Sequence, residues 1–469
     1  MTSQQPRPKI GLLGLTLELY ETLAPGLREQ REAWVRREVL PALEPLAEVS
    51  FPGAVFRRQD AEAAVARLEA EGADALLIVL LTYSPSQIAL PALQRTRLPI
   101  LVWNTQELWA VDAAYDSAAL TANHGVHGTQ DLCKVLLRTG VRFEYLTSHL
   151  RDASGLGRLR DFFAAAAAVR RLRSARLGLL GYPFPGMGDF ALDTTHLVAT
   201  LGCQWTILSV EDYIHRAARA ATNEVDRLVA EYRASYDLAP DLTEADLDAT
   251  ARAELALRGM VADHHLDALT YQFMAFGEDE RTPTLPFVAA SRLMADGIGF
   301  GGEGDLIAAA GTAFLHWLQP PASFTEIFTI DFAGNSVLAS HMGEANVAMA
   351  RRDRKVPLVA RSSPIARTRQ RQLALVTSFE PGPATFCALT LGPSGRWRLV
   401  VSPVTIADFG PLPALQVPHS KLVPSGDVRD FLTAYAKAGG PHHAALSFGD
   451  ARPRLRLVAW MLGADYCEV

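Results

Sequence analysis

The stretch GIGFGGEGDLIAAA, Gly297 to Ala310, sets one glutamate, Glu303, among five glycines ahead of a run patterned as a helix. Backbone of that composition can approach a ligand closely, because glycine has no Cβ to hold it off. A second carboxylate, Glu326, lies in FTEIFTIDFAGNSVLASHMGE, Phe324 to Glu344. Strand alternation puts it on the side of Phe324, Phe328, Ile330 and Phe332. A lone carboxylate among large apolar side chains is costly unless it is paired or holds a metal. Gly334-Asn335 suits a two-residue hairpin loop. That loop would set Phe328 opposite His341 and make Glu326 the diagonal neighbour of His341, about 7–8 Å away, within reach of two side chains meeting at one ion. The hairpin alone also admits a plainer reading, with His341 a hydrogen-bonded core histidine and Glu326 at a sheet edge. A third candidate is GGPHHAALSF, Gly439 to Phe448, in which His442-His443 begin a strand. Neighbours on a strand face opposite ways, so one imidazole of the pair is expected to enter a given site.

The elements that must carry these residues follow from the hydrophobic pattern. Over the first 110 residues, apolar runs such as KIGLLGL, DALLIVLL and LPILVWN alternate with helical patterns, the mark of a parallel sheet covered on both faces. The pattern restarts after Arg170 with ARLGLLG, amphipathic helices around Val225 to Tyr236 and Thr243 to Met260, and the strand DALTYQF. From about Pro321 it changes to alternating, turn-rich segments: FTEIFTIDF, NSVLASHM, RQLALVTSF, TFCALTL and WRLVVSPV. The expected class is α/β, with two Rossmann-like parallel-sheet domains (1–170 and 171–320) and then a C-terminal antiparallel β-rich domain containing a barrel (321–469), which carries most of the candidate ligands.

Composition narrows the function. The 469 residues carry a net charge of −6, with 49% hydrophobic and 20% charged residues. No basic stretch is long enough to neutralise a run of phosphates, so nucleic acid is not an expected partner. Cys133, Cys203, Cys387 and Cys467 form no CxxC pair, which argues against a zinc finger or disulfide scaffold and fits a reducing compartment. No apolar run reaches the roughly 18 residues that span a bilayer, and MTSQQPRPK lacks the regions of a signal peptide. A cytoplasmic location is the expectation. Gly297, Gly299 and Gly302 satisfy GxGxxG, but a dinucleotide site needs a strand ahead of it and FVAASRLMAD reads as a helix.

Seven segments in order resemble the L-arabinose isomerase family: WNTQ at Trp103, VHG at Val126, EVDRLVAEYRASYDLAP at Glu224, LPFVAASRLMADGIGFGGEGD at Leu285, SFTEIF at Ser323, LASHM at Leu338 and GGPHH at Gly439. The resemblance implies a divalent metal, usually Mn²⁺, held by Glu303, Glu326, His341 and His443, with His442 left to face elsewhere or toward substrate. It also implies acid/base work by Glu303 and Glu326 and a substrate side including His127, Gln106, Phe328 and His442. The expected partner is a small sugar, and the expected assembly is a homo-oligomer, tetramer or hexamer, whose active sites lie at subunit interfaces. Two carboxylates and two neutral imidazoles suit Mn²⁺ better than Mg²⁺. The departures fall where the sugar is held: Leu17-Glu18-Leu19-Tyr20, Glu107-Leu108, Ile327-Phe328, Ile330-Asp331 and the loop MAFGEDERTP all differ from the family pattern. A site built for particular hydroxyls rejects analogues strongly. The expected reaction is therefore aldose–ketose isomerisation of an L-arabinose-like pentose or a related hexose or deoxy sugar. Epimerisation or bond cleavage on another carbohydrate stands as the alternative enzyme, and a sugar-binding module as the alternative class.

Overall fold

The computed structural model describes residues 6–276, 279–361 and 368–469. The chain divides at Arg170/Arg171 into two compact units. The N-terminal unit is built on six parallel strands: β1 (Lys9–Leu15), β2 (Glu48–Ser50), β3 (Ala54–Val55), β4 (Ala75–Leu80), β5 (Ile100–Asn104) and β6 (Glu144–Thr147). Their order is β2-β1-β4-β5-β6, with β3 taking up the end of β1 beyond β2. Every residue of β4, ALLIVL, is buried, as helices on both faces of a parallel sheet require. The helix Gly125–Arg138 comes so close to β4 that a Cβ on Gly125 would stand 2.3 Å from the Leu80 carbonyl oxygen. The glycines on either side of Val126-His127 thus let the first helical turn rest on the strand end.

The second unit opens with β7 (Arg176–Leu180), β8 (Gln204–Leu208), β9 (Asp237–Leu238), β10 (Ala268–Tyr271) and β11 (Gly299–Gly301); all but β9 form a parallel sheet in the order β11-β10-β7-β8. The helix Leu306–Leu318 follows β11 so closely that a Cβ on Gly301 would lie 2.3 Å from the Asp305 carbonyl oxygen. Next come β12 (Ala322–Asp331), β13 (Ser336–Ser340), β14 (Pro357–Arg361), β15 (Gln372–Leu375), β16 (Gly382–Leu391), β17 (Trp397–Ile406), β18 (His419–Pro424), β19 (His443–Phe448) and β20 (Asp465–Glu468). Six of these form an antiparallel ring in the order β16-β19-β12-β13-β18-β17, closed by the long β16–β17 ladder into a barrel, and β20 adds in parallel to β17. Val337, Ala339, Phe386, Val400, Ala444 and Leu446 fill its core. The expected class, parallel-sheet α/β parts followed by an antiparallel barrel, is what the chain forms.

One local expectation is refined and one corrected. RQLALVTSF gives β15, an antiparallel strand as expected, but one outside the barrel: it pairs with β14, and β14 takes β9 in parallel to make a separate three-stranded sheet. All four residues of β15 are buried, so its pattern carries no sign of which sheet it joins. The β12–β13 hairpin does not turn on two residues: Asp331 pairs with Ser336, leaving a four-residue connection, and a register shift between Ile327 and Thr329 brings Glu326 opposite Ser340. An Asp331 carboxylate oxygen accepts the Gly334 N–H at 2.8 Å and closes this wider turn. Phe328, Ile330 and Phe332, expected on an apolar face with Glu326, are 47%, 38% and 57% exposed. Beyond Glu326 the hairpin carries these side chains away from the packed barrel wall.

Candidate metal centre

Three neighbouring barrel strands set the first candidate ligands. Glu326 on β12 pairs with His443 on β19 and with Ser340 on β13, and His341 follows Ser340 directly. Because Ala339 and Ala444 point into the barrel core, their neighbours Ser340 and His443 point out of it. Glu326, His341 and His443 each offer one ligand atom, and the three atoms lie within 4.8 Å of one another. The loop between β11 and the helix Leu306–Leu318 brings Glu303 against this wall, with Oε2 3.7 Å from His443 Nε2. Glu303, His442 and His443 form a second set within the same 4.8 Å limit, so His443 belongs to both.

Glycine gives the loop its shape. A Cβ on Gly302 would lie 2.8 Å from His341 Nε2, so a side chain there would fill the space the imidazole faces. Glu303 itself has φ +59°, a conformation disfavoured for a residue with a Cβ. It is held there by the Phe184 N–H, which donates to the Glu303 carbonyl at 2.9 Å.

Each of the two candidate ligand histidines, His341 and His443, is turned by a further carboxylate. His341 Nδ1 lies 2.6 Å from Glu344 Oε2, and Glu344 also accepts from the Tyr271 hydroxyl. His443 Nδ1 lies 2.9 Å from Asp305 Oδ2, while Asp305 Oδ1 accepts the Ala308 N–H at 2.9 Å and caps the helix. An imidazole that donates through Nδ1 presents the lone pair of Nε2, the arrangement that orients metal-ligating histidines. His443 Nε2 is buried and has no hydrogen-bond partner among the described residues. Phe324 stands edge-on to both rings, at 4.8 Å from His341 and 4.9 Å from His443, and fixes them from the apolar side.

Burial sets the protonation. It holds His443 well below the usual histidine range, helped by the neighbouring His442 and His341. It raises the Glu326 carboxyl, against the attraction of His341 and His442. Burial also pushes Asp305 up to about 7, opposed by the helix N-terminal amides. At His341 burial is outweighed by the Glu344 carboxylate, which raises that imidazole. The donor set of carboxylates and a neutral, unpartnered imidazole nitrogen fits a divalent first-row cation.

His442 corrects the alternation argument. It precedes β19, where no ladder yet fixes it, and its ring lies 4.0 Å from that of His443. Its Nε2 is 3.8 Å from Glu303 Oε2, so both imidazoles of the pair approach one carboxylate. Burial pulls His442 down, but the Glu303 and Asp189 carboxylates beside it push it up to about 9. Phe328 sits at the irregularity in β12, half exposed.

The other two expected residues belong to the N-terminal unit. His127 is exposed on the first turn of the helix Gly125–Arg138, stacked on Tyr83 at 4.7 Å. Its neighbour His124 meets the Tyr20 hydroxyl at 2.7 Å through Nε2. The Gln106 amide donates to the Leu108 carbonyl at 2.9 Å. Sequence reasoning missed Glu344, Asp305 and Asp189 as partners of the three imidazoles. The first two had a signal, an acidic residue three positions after His341 and the helix-capping aspartate of GEGD, whereas Asp189 is 253 positions from His442 and had none. A cavity of about 170 Å³ bordered by Val356, Leu412, Leu415 and His419 lies apart from the two ligand sets and shares no residue with them.

Comparison with known proteins finds matches over most of the second unit. The family profile described as the L-arabinose isomerase central domain matches residues 193–319, and that of the L-arabinose isomerase C-terminal domain matches residues 321–465. An L-arabinose isomerase of Acidothermus cellulolyticus is 30% identical over 420 residues, covering 85% of this chain and 81% of that protein. One from Nocardioides sp. is 30% identical over 400 residues, covering 82% and 78%. A third, from Arthrobacter sp., is 28% identical over 402 residues, covering 81% and 76%.

Proposed function

Because the chain belongs to the L-arabinose isomerase family, we propose that it interconverts an aldose and its ketose, acting on an L-arabinose-like pentose or a related hexose or deoxy sugar through an ene-diol. The observation that carries this reading is the convergence of Glu326, His341 and His443 on one point, with a buried carboxylate behind each imidazole. Glu303, Glu326, His341 and His443 would hold the divalent ion, Mn²⁺ in this reading. When bound, the ion supplies Lewis-acid stabilisation of the negative charge that develops on two adjacent sugar oxygens.

The protein's own groups do the proton work. One carboxylate of the Glu303 and Glu326 pair takes the hydrogen from C2 of the aldose and returns it to C1. The other moves a proton from O2 to O1, so that atoms and charge balance over the cycle. Burial, which raises the Glu326 carboxyl, suits it to hold a proton in mid-reaction. His127, Gln106, Phe328 and His442 are assigned to the substrate side. The chain is read as three parts, 1–170, 171–320 and 321–469, working as a cytoplasmic homo-oligomer, tetramer or hexamer, with active sites at subunit interfaces.

The test is incubation of metal-stripped protein with Mn²⁺ and a panel of aldoses in deuterated water, followed by NMR. Ketose with carbon-bound deuterium is expected from one sugar class, and Glu326→Gln should lower turnover by about 10²–10⁴-fold. Tight Mn²⁺ binding with no exchange from any free sugar would overturn isomerisation in favour of another carbohydrate reaction.

A further inference from the structure

The loop that follows β7 lays Gly188-Asp189-Phe190 against the histidine pair. Phe190, 4% exposed, stacks on His443 at 5.5 Å with the planes 15° apart, and tilts against His442 at 5.8 Å. Asp189 Oδ2 accepts the His442 backbone N–H at 3.2 Å and also meets His442 Nδ1. These two bonds fix both the backbone just ahead of β19 and the rotation of the ring. The opposite ring nitrogen, Nε2, is thereby turned toward Glu303, where it is buried with no hydrogen-bond partner among the described residues. Its 3.8 Å separation from Glu303 Oε2 is too long for a hydrogen bond. A buried polar atom left without a partner costs about 1–3 kcal/mol, so this is a place a ligand completes.

Resting on the isomerase reading above, we propose that Asp189 is a positioning residue that holds His442 so that Nε2 makes a hydrogen bond to a hydroxyl of the bound sugar beside Glu303. Asp189 does for His442 what Glu344 does for His341 and Asp305 for His443. The difference lies in where the carboxylates sit. Glu344 and Asp305 are almost fully buried, whereas the Asp189 side chain, on its loop, is 37% exposed. The ion-facing imidazoles are thus fixed by the core and the sugar-facing one by a surface loop.

Calorimetric titration tests this, first with Mn²⁺ and then with a panel of pentitols and hexitols, which keep the hydroxyls of sugars but cannot be turned over. Asp189→Ala and His442→Ala should leave Mn²⁺ affinity unchanged and weaken the best polyol about tenfold, the loss of one hydrogen bond. The double variant should bind no more weakly than His442→Ala alone, because Asp189 acts through that ring. Asp189→Asn, whose amide oxygen still accepts from Nδ1, should recover part of the affinity, and it replaces the alanine variant if that one fails to fold. Polyol binding indifferent to these changes, losses that add in the double variant, or a loss of Mn²⁺ affinity in Asp189→Asn would overturn the assignment while leaving the isomerase reading intact. A Mn²⁺-loaded wild-type protein that binds no polyol would overturn both.

Discussion

Asp305 carries two duties on one carboxyl group, capping a helix through Oδ1 and orienting His443 through Oδ2. Substitution can separate them, since asparagine is as good an N-cap as aspartate but brings no charge to the imidazole. Asp305→Asn is expected to leave thermal stability nearly unchanged and to weaken Mn²⁺ binding about 10–100-fold, the usual effect of losing a carboxylate behind a ligand histidine. Chelator competition and a thermal melt on the same sample check both halves. The candidate ion-binding residues could be named from the sequence through the resemblance carried by GFGGEGD, FTE, SHM and GGPHH, whereas the hairpin alone left Glu326 and His341 open to a plainer reading. The residues behind them were less legible. Glu344 and Asp305 act across short sequence distances and had a local sign, but the partner of His442 comes from a loop on another strand, which no pattern along the chain records.

At the scale of elements, the helix Leu306–Leu318 holds a group whose protonation is linked to folding. Burial, with Arg171 nearby, lowers the His316 imidazole to about 4. The folded pKa lies below the unfolded value of about 6.5, so between those limits the unfolded chain binds the extra proton. The stability contributed by neutral His316 is present above pH 6.5 and is lost as pH falls toward 4, up to about 3 kcal/mol at the lower limit. Hydrogen exchange along this helix should therefore accelerate from pH 6.5 to 4.5 after correction for the intrinsic rate, and His316→Gln should flatten that dependence. Elements were legible where periodicity is long, as in the helices Thr222–Ser235 and Glu244–Asp263. The hairpin was not, because its loop length is decided by the hydrogen bond from Gly334 to Asp331, and its facing by an irregularity within β12. Counting residues by twos reveals neither.

For the whole molecule, the α/β-then-β order could be read from hydrophobic patterning along the chain, since buried parallel strands and half-buried antiparallel strands have different hydrophobic periods. The assignment of β15 to a separate sheet could not, because a short, fully buried strand fits either place. Assembly follows from the proposed function. If His127 serves the metal centre of a neighbouring subunit, a His127→Ala protein and a Glu326→Gln protein, each inactive alone, should regain activity when dissociated and reassembled together. Random mixing gives both intact residues at about a quarter of the sites, so recovery of roughly 25% of wild-type turnover is expected. Sedimentation should place the assembly at four or six times 50.9 kDa.

The left-handed backbone at Glu303 bears on how this protein would respond to selection. Glycine adopts that conformation freely, so Glu303→Gly should relieve about 1 kcal/mol of strain and raise the melting temperature by about 1–2 °C. A mutant library screened for heat tolerance alone would enrich that change among its survivors, and assay of those survivors should find them without turnover. Only a screen that also demands product would keep the glutamate, at a standing cost in stability.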